Sequence, residues 1–274
     1  MKTKTYIITG ATSGIGKALI EKLAENNIIF AGYRDKSKLA DLSSISANIY
    51  PFYIDYAKPE TIKLAAEYLK SKCTKVDTLI NIAGCVVAGP VEKIEMQEIR
   101  RQFDVNVFGH LEFTKELMEI LENSKIINVS SMASFGIFPY ISPYCASKRC
   151  LDMFFNSLLI ENKKNLQIIS IKPGAIATPL WGKSINENSK YLDNCNGYEK
   201  EMQFVISNAR KNEQKGLSVD KVVEKIIKVD NMNKPKLSYT VGKDAFVAEM
   251  ISKLPQAWIN RLVKFGFNSR MKKM

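Results

Sequence analysis

The chain has 274 residues, 46% of them hydrophobic, with 40 Lys and Arg against 28 Asp and Glu for a formal charge of +12. That is enough apolar material for one α/β core, while the one histidine, His110, falls on a predicted helix beyond Asn106, so neither a histidine-based triad nor a zinc site is expected. The five cysteines (Cys73, Cys85, Cys145, Cys150, Cys195) lack metal-site spacing, which predicts reduced thiols in a cytoplasm, and the scattered lysines predict a solvated surface that favours an anionic cofactor and no nucleic-acid partner.

Lys4 to Ile8 is a short β-prone run, with no secretory signal expected from Met1-Lys2-Thr3 and no apolar run of membrane-spanning length anywhere. It leads into Thr9-Gly10-Ala11-Thr12-Ser13-Gly14-Ile15-Gly16 and then a helical pattern of Ala18, Leu19, Leu23 and Ala24. Strand, glycine turn and helix together make a phosphate cradle. Gly10 permits the turn, Gly14 lets the backbone approach a pyrophosphate, and Gly16 lets the helix pack closely, with free N–H groups at its positive end. Three residues separate Gly10 from Gly14 where the usual dinucleotide fingerprint has one, so a plain connection is the alternative reading.

Ile28 to Tyr33 and Ile49 to Ile54 read as the next strands, followed by Arg34 and Asp55, and then come Val76 to Ile80 and Ile126 to Val129. Tyr144 and Lys148 are four apart and share one face of a predicted helix, with Ser142 as N-cap, Pro143 in the first turn, and Leu151, Phe154, Phe155, Leu158 and Leu159 continuing an apolar face. A phenol titrates near ~10 and a neighbouring ammonium favours its phenolate, so the pair can serve as a general acid or base; a half-buried aromatic beside a solvated lysine is the alternative. Leu166 to Ile171 and Lys236 to Val241 add two more strands. The alternation predicts one α/β domain over residues 1–274, a Rossmann-like doubly wound parallel sheet of about seven strands with helices on both faces.

These motifs, in this order, resemble the short-chain dehydrogenase/reductase family over roughly Lys4 to Leu180. Thr9 to Gly16 is similar to its glycine turn, and Asn81-Ile82-Ala83-Gly84 to its Asn-Asn-Ala-Gly segment, with Ile82 in place of the second Asn. Asn106 matches the helix asparagine of its catalytic tetrad, Ser131 precedes Tyr144 by thirteen positions as its catalytic serine does, and Pro173-Gly174, Ile176 and Thr178 fit the segment that closes over the nicotinamide. The resemblance implies that Tyr144 exchanges a proton with the substrate oxygen and that Lys148 lowers the pKa of Tyr144 and holds the nicotinamide ribose. It also implies that Ser131 hydrogen-bonds the substrate oxygen and that Asn106 positions a water linking Lys148 to solvent. Gly10, Ser13, Gly14, Ile15, Gly16, Asn81, Ala83 and Gly84 are carried over as cofactor contacts. Arg34, directly after the second strand, can clamp the 2′-phosphate of NADP(H) with help from Ser13, whereas Asp35, if its carboxylate faced the ribose, would favour NAD(H). Asp55 resembles the family's adenine contact.

The expected substrate is a small lipophilic alcohol or carbonyl compound, because Phe138, Leu180 and Trp181, with Phe135 and Ile137, supply an apolar pocket and the text around Tyr144 and Pro173 is similar to relatives acting on steroids and retinoids. Residues 175–215 are expected to complete that pocket, with a polar lid from Ser184 to Glu201. Arg100 to Leu121 and Ala146 to Ile160 carry surplus apolar surface, which together with the resemblance predicts a homodimer or homotetramer. The tail 255–274 mixes Trp258, Ile259, Leu262, Val263, Phe265 and Phe267 with Arg261, Lys264, Arg270, Lys272 and Lys273. It is expected to pack as a terminal helix, with a basic amphipathic helix at a membrane surface as the alternative. A nucleotide-sensing protein without turnover and a membrane-surface binding protein are the competing function classes.

Overall fold

Neighbouring residues of the central strands enter opposite apolar layers. In the computed structural model, which describes residues 3–192 and 195–272, Ile7, Leu79 and Ile126 pack on one side of a sheet and Ile8, Ile80 and Ile127 on the other. A strand covered on both faces requires an unbroken apolar run, and that is the pattern these segments carry. The strands are β1 (Thr5–Ile8), β2 (Ile28–Tyr33), β3 (Ile49–Tyr53), β4 (Thr78–Asn81), β5 (Lys125–Val129), β6 (Gln167–Pro173) and β7 (Ser238–Val241). All are parallel, in the order β3-β2-β1-β4-β5-β6-β7, so the fold is the expected Rossmann-like doubly wound α/β sheet. Helices Gly14–Leu23 and Val219–Asp230 cover one face through Leu19, Ile20, Val223 and Ile226. Helices Pro59–Lys72, Gly109–Glu116 and Ser142–Glu161 cover the other through Leu69, Phe113 and Phe155.

Chain order reverses at β1, which pairs with both β2 and β4, and a crevice opens beyond the carboxyl ends of the strands at such a switch point. The amino ends are fastened by Asp230. Its Oδ2 accepts from Tyr6 OH at 2.7 Å and from Lys4 Nζ at 2.7 Å, and its Oδ1 accepts from Thr78 Oγ1 at 2.6 Å.

One local expectation changes. The helix carrying Tyr144 begins at Ser142 rather than being capped by it: the Cys145 N–H donates to Ile141 O at 3.1 Å, so Ile141 holds the N-cap position. The segment 175–215, which contains the stretch Ser184 to Glu201 expected as a polar lid, carries helices Leu180–Glu187, Ser189–Leu192 and Glu199–Lys215. Within it Asn188 is buried, donates to Val86 O at 2.8 Å and accepts from the Ala88 N–H at 3.0 Å. Asp193 and Asn194 of that segment, Met1 and Lys2, and Lys273 and Met274 of the tail lie outside the described residues.

Asp230→Ala leaves Tyr6 OH and Thr78 Oγ1 buried without their acceptor and Lys4 without its counter-ion. Its expected cost is on the order of 3 kcal/mol, read as a lower urea midpoint with an unchanged slope. A midpoint equal to wild type would show that the Asp230 cluster contributes no net stability.

Candidate active site

The crevice is a cleft of about 440 Å³ that runs from the end of β2 to the helix Ser142–Glu161. Its floor is the glycine turn. Thr9 is fully buried, and its Oγ1 accepts from the N–H groups of Ile82 at 3.1 Å and Ala83 at 3.4 Å, tying the turn to the loop after β4. Gly10 has φ +65°, and a Cβ there would stand 2.9 Å from Ala83 N, so both conformation and space demand glycine. Gly14, at φ +51°, begins the helix, and Ser13 at its N-cap makes no side-chain hydrogen bond to it. The first N–H groups of this helix therefore lie at the cleft with no side chain capping them, which fits a bound phosphate.

The end of the cleft beside β2 takes its charge from three elements. Arg34 at the end of β2, Lys38 just beyond it, and Lys183 on the helix Leu180–Glu187 all line the cleft. Asp35 lines it too, but its Oδ1 accepts from the Ser37 N–H at 3.0 Å and the Ser37 hydroxyl at 2.7 Å, capping the turn Lys36–Lys38. Those bonds, the Ser37 hydroxyl first, hold its pKa below the usual carboxylate range. Asp55 lines the cleft with its Oδ1 oriented by the Ala57 N–H at 3.1 Å. Ile15, Ala83, Gly84, Pro173, Gly174, Ile176 and Thr178 also line it. Gly16 and Asn81 do not: Gly16 is packed beneath the turn against the Gly10 carbonyl, and Asn81 is buried with its Nδ2 donating to Asn128 Oδ1 across β4 and β5 at 2.8 Å.

At the other end Ser131, Tyr144 and Lys148 line the cleft together. Ser131 follows β5 and accepts from the Ala133 N–H at 3.1 Å. Lys148 is buried; its Nζ donates to Val129 O at 3.1 Å and lies 5.9 Å from the centroid of the Tyr144 ring. Burial brings its pKa down to about 8, opposed by Asp152 and Cys85. Burial pushes Tyr144 up to about 12, with the Ser131 hydroxyl beside it pulling the other way. The phenol thus sits above its ordinary range in this structure, because the loss of hydration outweighs the Ser131 hydroxyl.

Asn106 stands behind the cleft in a π-helical turn, Asp104–Phe108. Its Oδ1 accepts from the Cys85 N–H at 2.9 Å, and its Nδ2 donates to Cys85 O and to Ser147 Oγ, each at 3.0 Å. It clamps the loop after β4 to the helix of Tyr144. His110 supports the same loop: Nε2 donates to Ala83 O at 2.8 Å, and burial followed by the Lys148 charge lowers its pKa to about 3, so the ring is neutral.

The apolar side of the cleft is formed by Val86, Met132, Phe138, Ile141, Leu180 and Trp181. The Trp181 indole is fixed by its Nε1–H donating to Ile176 O at 2.7 Å. Phe135 and Ile137 fall outside: Lys172 Nζ sits 4.5 Å from the Phe135 ring centroid, and Ile137 is exposed to solvent. Sequence reasoning missed Lys38, Lys183 and Asp244. The Asp244 Oδ2 accepts from the Ala175 N–H at 2.8 Å and so holds the loop that follows Pro173-Gly174.

Residues 4–190 match the family described as short chain dehydrogenase. An uncharacterized oxidoreductase of Bacillus subtilis is 30% identical over 254 residues, covering 89% of this chain and 90% of its own. An NADPH-dependent 3-dehydrocapnine reductase of Ornithobacterium rhinotracheale is 30% identical over 251 residues, covering 86% and 87%. The crystal structure of a short-chain dehydrogenase from Streptomyces avermitilis superposes with a TM-score of 0.78 at 24% identity, covering 98% of each chain.

The buried Lys148 ammonium opposes folding. Its folded pKa of about 8 lies below the ordinary lysine value of 10.5, so between these values the unfolded chain binds more protons and stability rises with pH. Lys148→Met is expected to have a Tm at or above that of wild type at pH 7, and the wild type should gain on the variant as pH rises from about 8 to 10. A variant with lower Tm at pH 7 and a parallel pH curve would contradict this.

Proposed function

The chain belongs to the short-chain dehydrogenase family, and on that premise we propose that it uses NADP(H) to interconvert a lipophilic secondary alcohol and its ketone, or a primary alcohol and its aldehyde. The observation that carries the reading is the placement of Ser131, Tyr144 and Lys148 along one cleft with the glycine turn and Arg34. A nicotinamide bound in the cleft supplies or accepts the hydride. In the reducing direction Tyr144 gives its phenolic proton to the carbonyl oxygen while the carbonyl carbon gains hydride, so the new C–H bond takes up the hydride, the new O–H bond takes up the proton, and Tyr144 is left as the phenolate. Ser131 donates a hydrogen bond to the oxygen on which charge develops. Lys148 keeps a cation beside the phenolate that remains, and Asn106 keeps the loop facing Lys148 in register through Cys85.

Preference for NADP(H) over NAD(H) is supported by Arg34, Lys38 and Lys183 at the far end of the cleft, by the engagement of Asp35 with Ser37, and by the NADPH dependence in one relative's name. The apolar wall from Phe138 to Trp181 supports the lipophilic substrate. Pairing of two copies through the helix Ser142–Glu161 is supported by the exposure of Met153, Phe154 and Ile160 on it.

The test of the chemistry is NADPH consumption against a panel of long-chain and cyclic ketones and aldehydes. Tyr144→Phe is expected to reduce kcat by roughly 10²- to 10⁴-fold with an unchanged NADPH Kd. Turnover within a few-fold of wild type would remove Tyr144 from the mechanism.

Cofactor choice is tested separately. Arg34→Ala should raise the NADPH Kd by roughly 10- to 100-fold, the range of a charge-assisted hydrogen bond, while the NADH Kd moves by less than about 2-fold. Equal losses for both cofactors would show that Arg34 does not read the 2′-phosphate.

A further inference from the structure

The last two helices, Lys243–Ile251 and Gln256–Met271, contribute no lining residue to the cleft, yet they carry a concentration of aromatic and aliphatic side chains. Gln256–Met271 is apolar on two separate faces. At about 100° per residue, Ile259, Val263 and Phe267 lie along one of them. That face docks on the domain: Ile259 is buried, and the Phe267 ring lies 5.2 Å from Phe204 and 5.4 Å from Tyr140. Trp258, Leu262 and Phe265 follow the i, i+4, i+7 spacing of a second stripe turned away from the first, and Trp258 and Phe265 are 61% and 74% exposed. A surface helix needs only its first face to fold, so the second is unexplained by folding. The preceding helix also presents Phe246, Val247 and Met250 to solvent, with Leu254 in the link.

The charge around these residues is one-sided. Positions 243–274 hold seven Lys and Arg against two acids, a net of +5. Arg261 and Lys264 are exposed beside the Trp258 stripe, and no acid lies anywhere on that helix. Both acids of the segment are turned back onto the fold, Asp244 to the Ala175 N–H at 2.8 Å and Glu249 to the Thr240 hydroxyl at 2.6 Å.

We propose that the exposed Trp258–Leu262–Phe265 stripe, with Arg261 and Lys264, docks this protein on the surface of an anionic lipid bilayer. Trp, Leu and Phe on one side with Arg and Lys beside them suit the boundary between acyl chains and headgroups, and the net positive charge complements an anionic leaflet. The helix lies on the membrane and does not span it, since none of the described helices is long and apolar enough to cross. A second copy fits this face less well, because a two-fold interface would set the same positive patch against itself. The helix Ser142–Glu161 offers a separate apolar face for pairing. The inference does not depend on the redox reaction.

The test is co-sedimentation of the full-length protein with vesicles of phosphatidylcholine alone and with roughly one third of the lipid replaced by phosphatidylglycerol. Partition into the anionic vesicles is expected to be at least ~10-fold stronger and to weaken with added salt. Only two tryptophans are present, so in Trp181→Phe protein the emission reports Trp258 alone and is expected to shift to the blue with anionic vesicles. Trp258→Ser with Phe265→Ser should reduce partition at least ~10-fold, and Arg261→Glu with Lys264→Glu should abolish the anionic preference, both with unchanged NADPH Kd and Tm. Failure to partition, partition insensitive to these exposed substitutions, or a sedimentation mass that halves in the Trp258→Ser and Phe265→Ser protein would overturn the proposal, the last by assigning the stripe to contact between copies.

Discussion

A buried ammonium is the constraint around which the cleft is built. Lys148 has little access to water, and its Nζ is held by the Val129 carbonyl at the end of β5. The charge is tolerated only where protein groups replace its hydration, and beside that carbonyl the loop after β4 passes close to Lys148 and is held in place by side chains. Asn106 grips Cys85 by both backbone groups and reaches Ser147 on the helix that carries Lys148. Gly84 stays open enough that a Cβ there would lie 3.7 Å from Lys148 Nζ. His110 remains neutral beneath the same loop, so that no second cation competes in that space.

From that point the rest of the site follows by connection. Thr9 fastens the same loop to the glycine turn, so the phosphate cradle at β1 and the Tyr144 helix beyond β5 share one bridge across the sheet ends. The parallel sheet supplies the rigidity, since each strand between the edge strands β3 and β7 is fixed by two neighbours and by apolar layers on both faces. Asp230 fastens the amino ends of the strands, while the candidate site lies beyond their carboxyl ends.

Much of this could be read from the chain. Unbroken apolar runs marked the strands because burial on both faces leaves that signature, and the Tyr144 and Lys148 spacing placed both on one helical face. Asn81 and Asn106 were found through motif resemblance, but their side chains face the framework and not the cleft, a distinction that spacing does not carry. Lys183, Asn188 and Asp244 left no local signal, because each acts across a tertiary contact formed by a distant segment. Within the polar stretch Ser184 to Glu201, Asn188 satisfies buried backbone groups of Val86 and Ala88, a role that composition does not distinguish from a solvated one. Asp35 left two readings open in the sequence, and only its capping of Ser37 in three dimensions favours Arg34.

The central claim is that one continuous cleft orders an NADP(H) molecule from Arg34 to Lys148. A crystal structure of the protein grown with NADP tests it most directly. The account predicts the 2′-phosphate against Arg34, the pyrophosphate on the N-terminus of the helix Gly14–Leu23, and the nicotinamide ribose hydroxyls bonded to Tyr144 and Lys148. Density for the cofactor in the opposite orientation, or with its adenosine end away from Arg34, would contradict it.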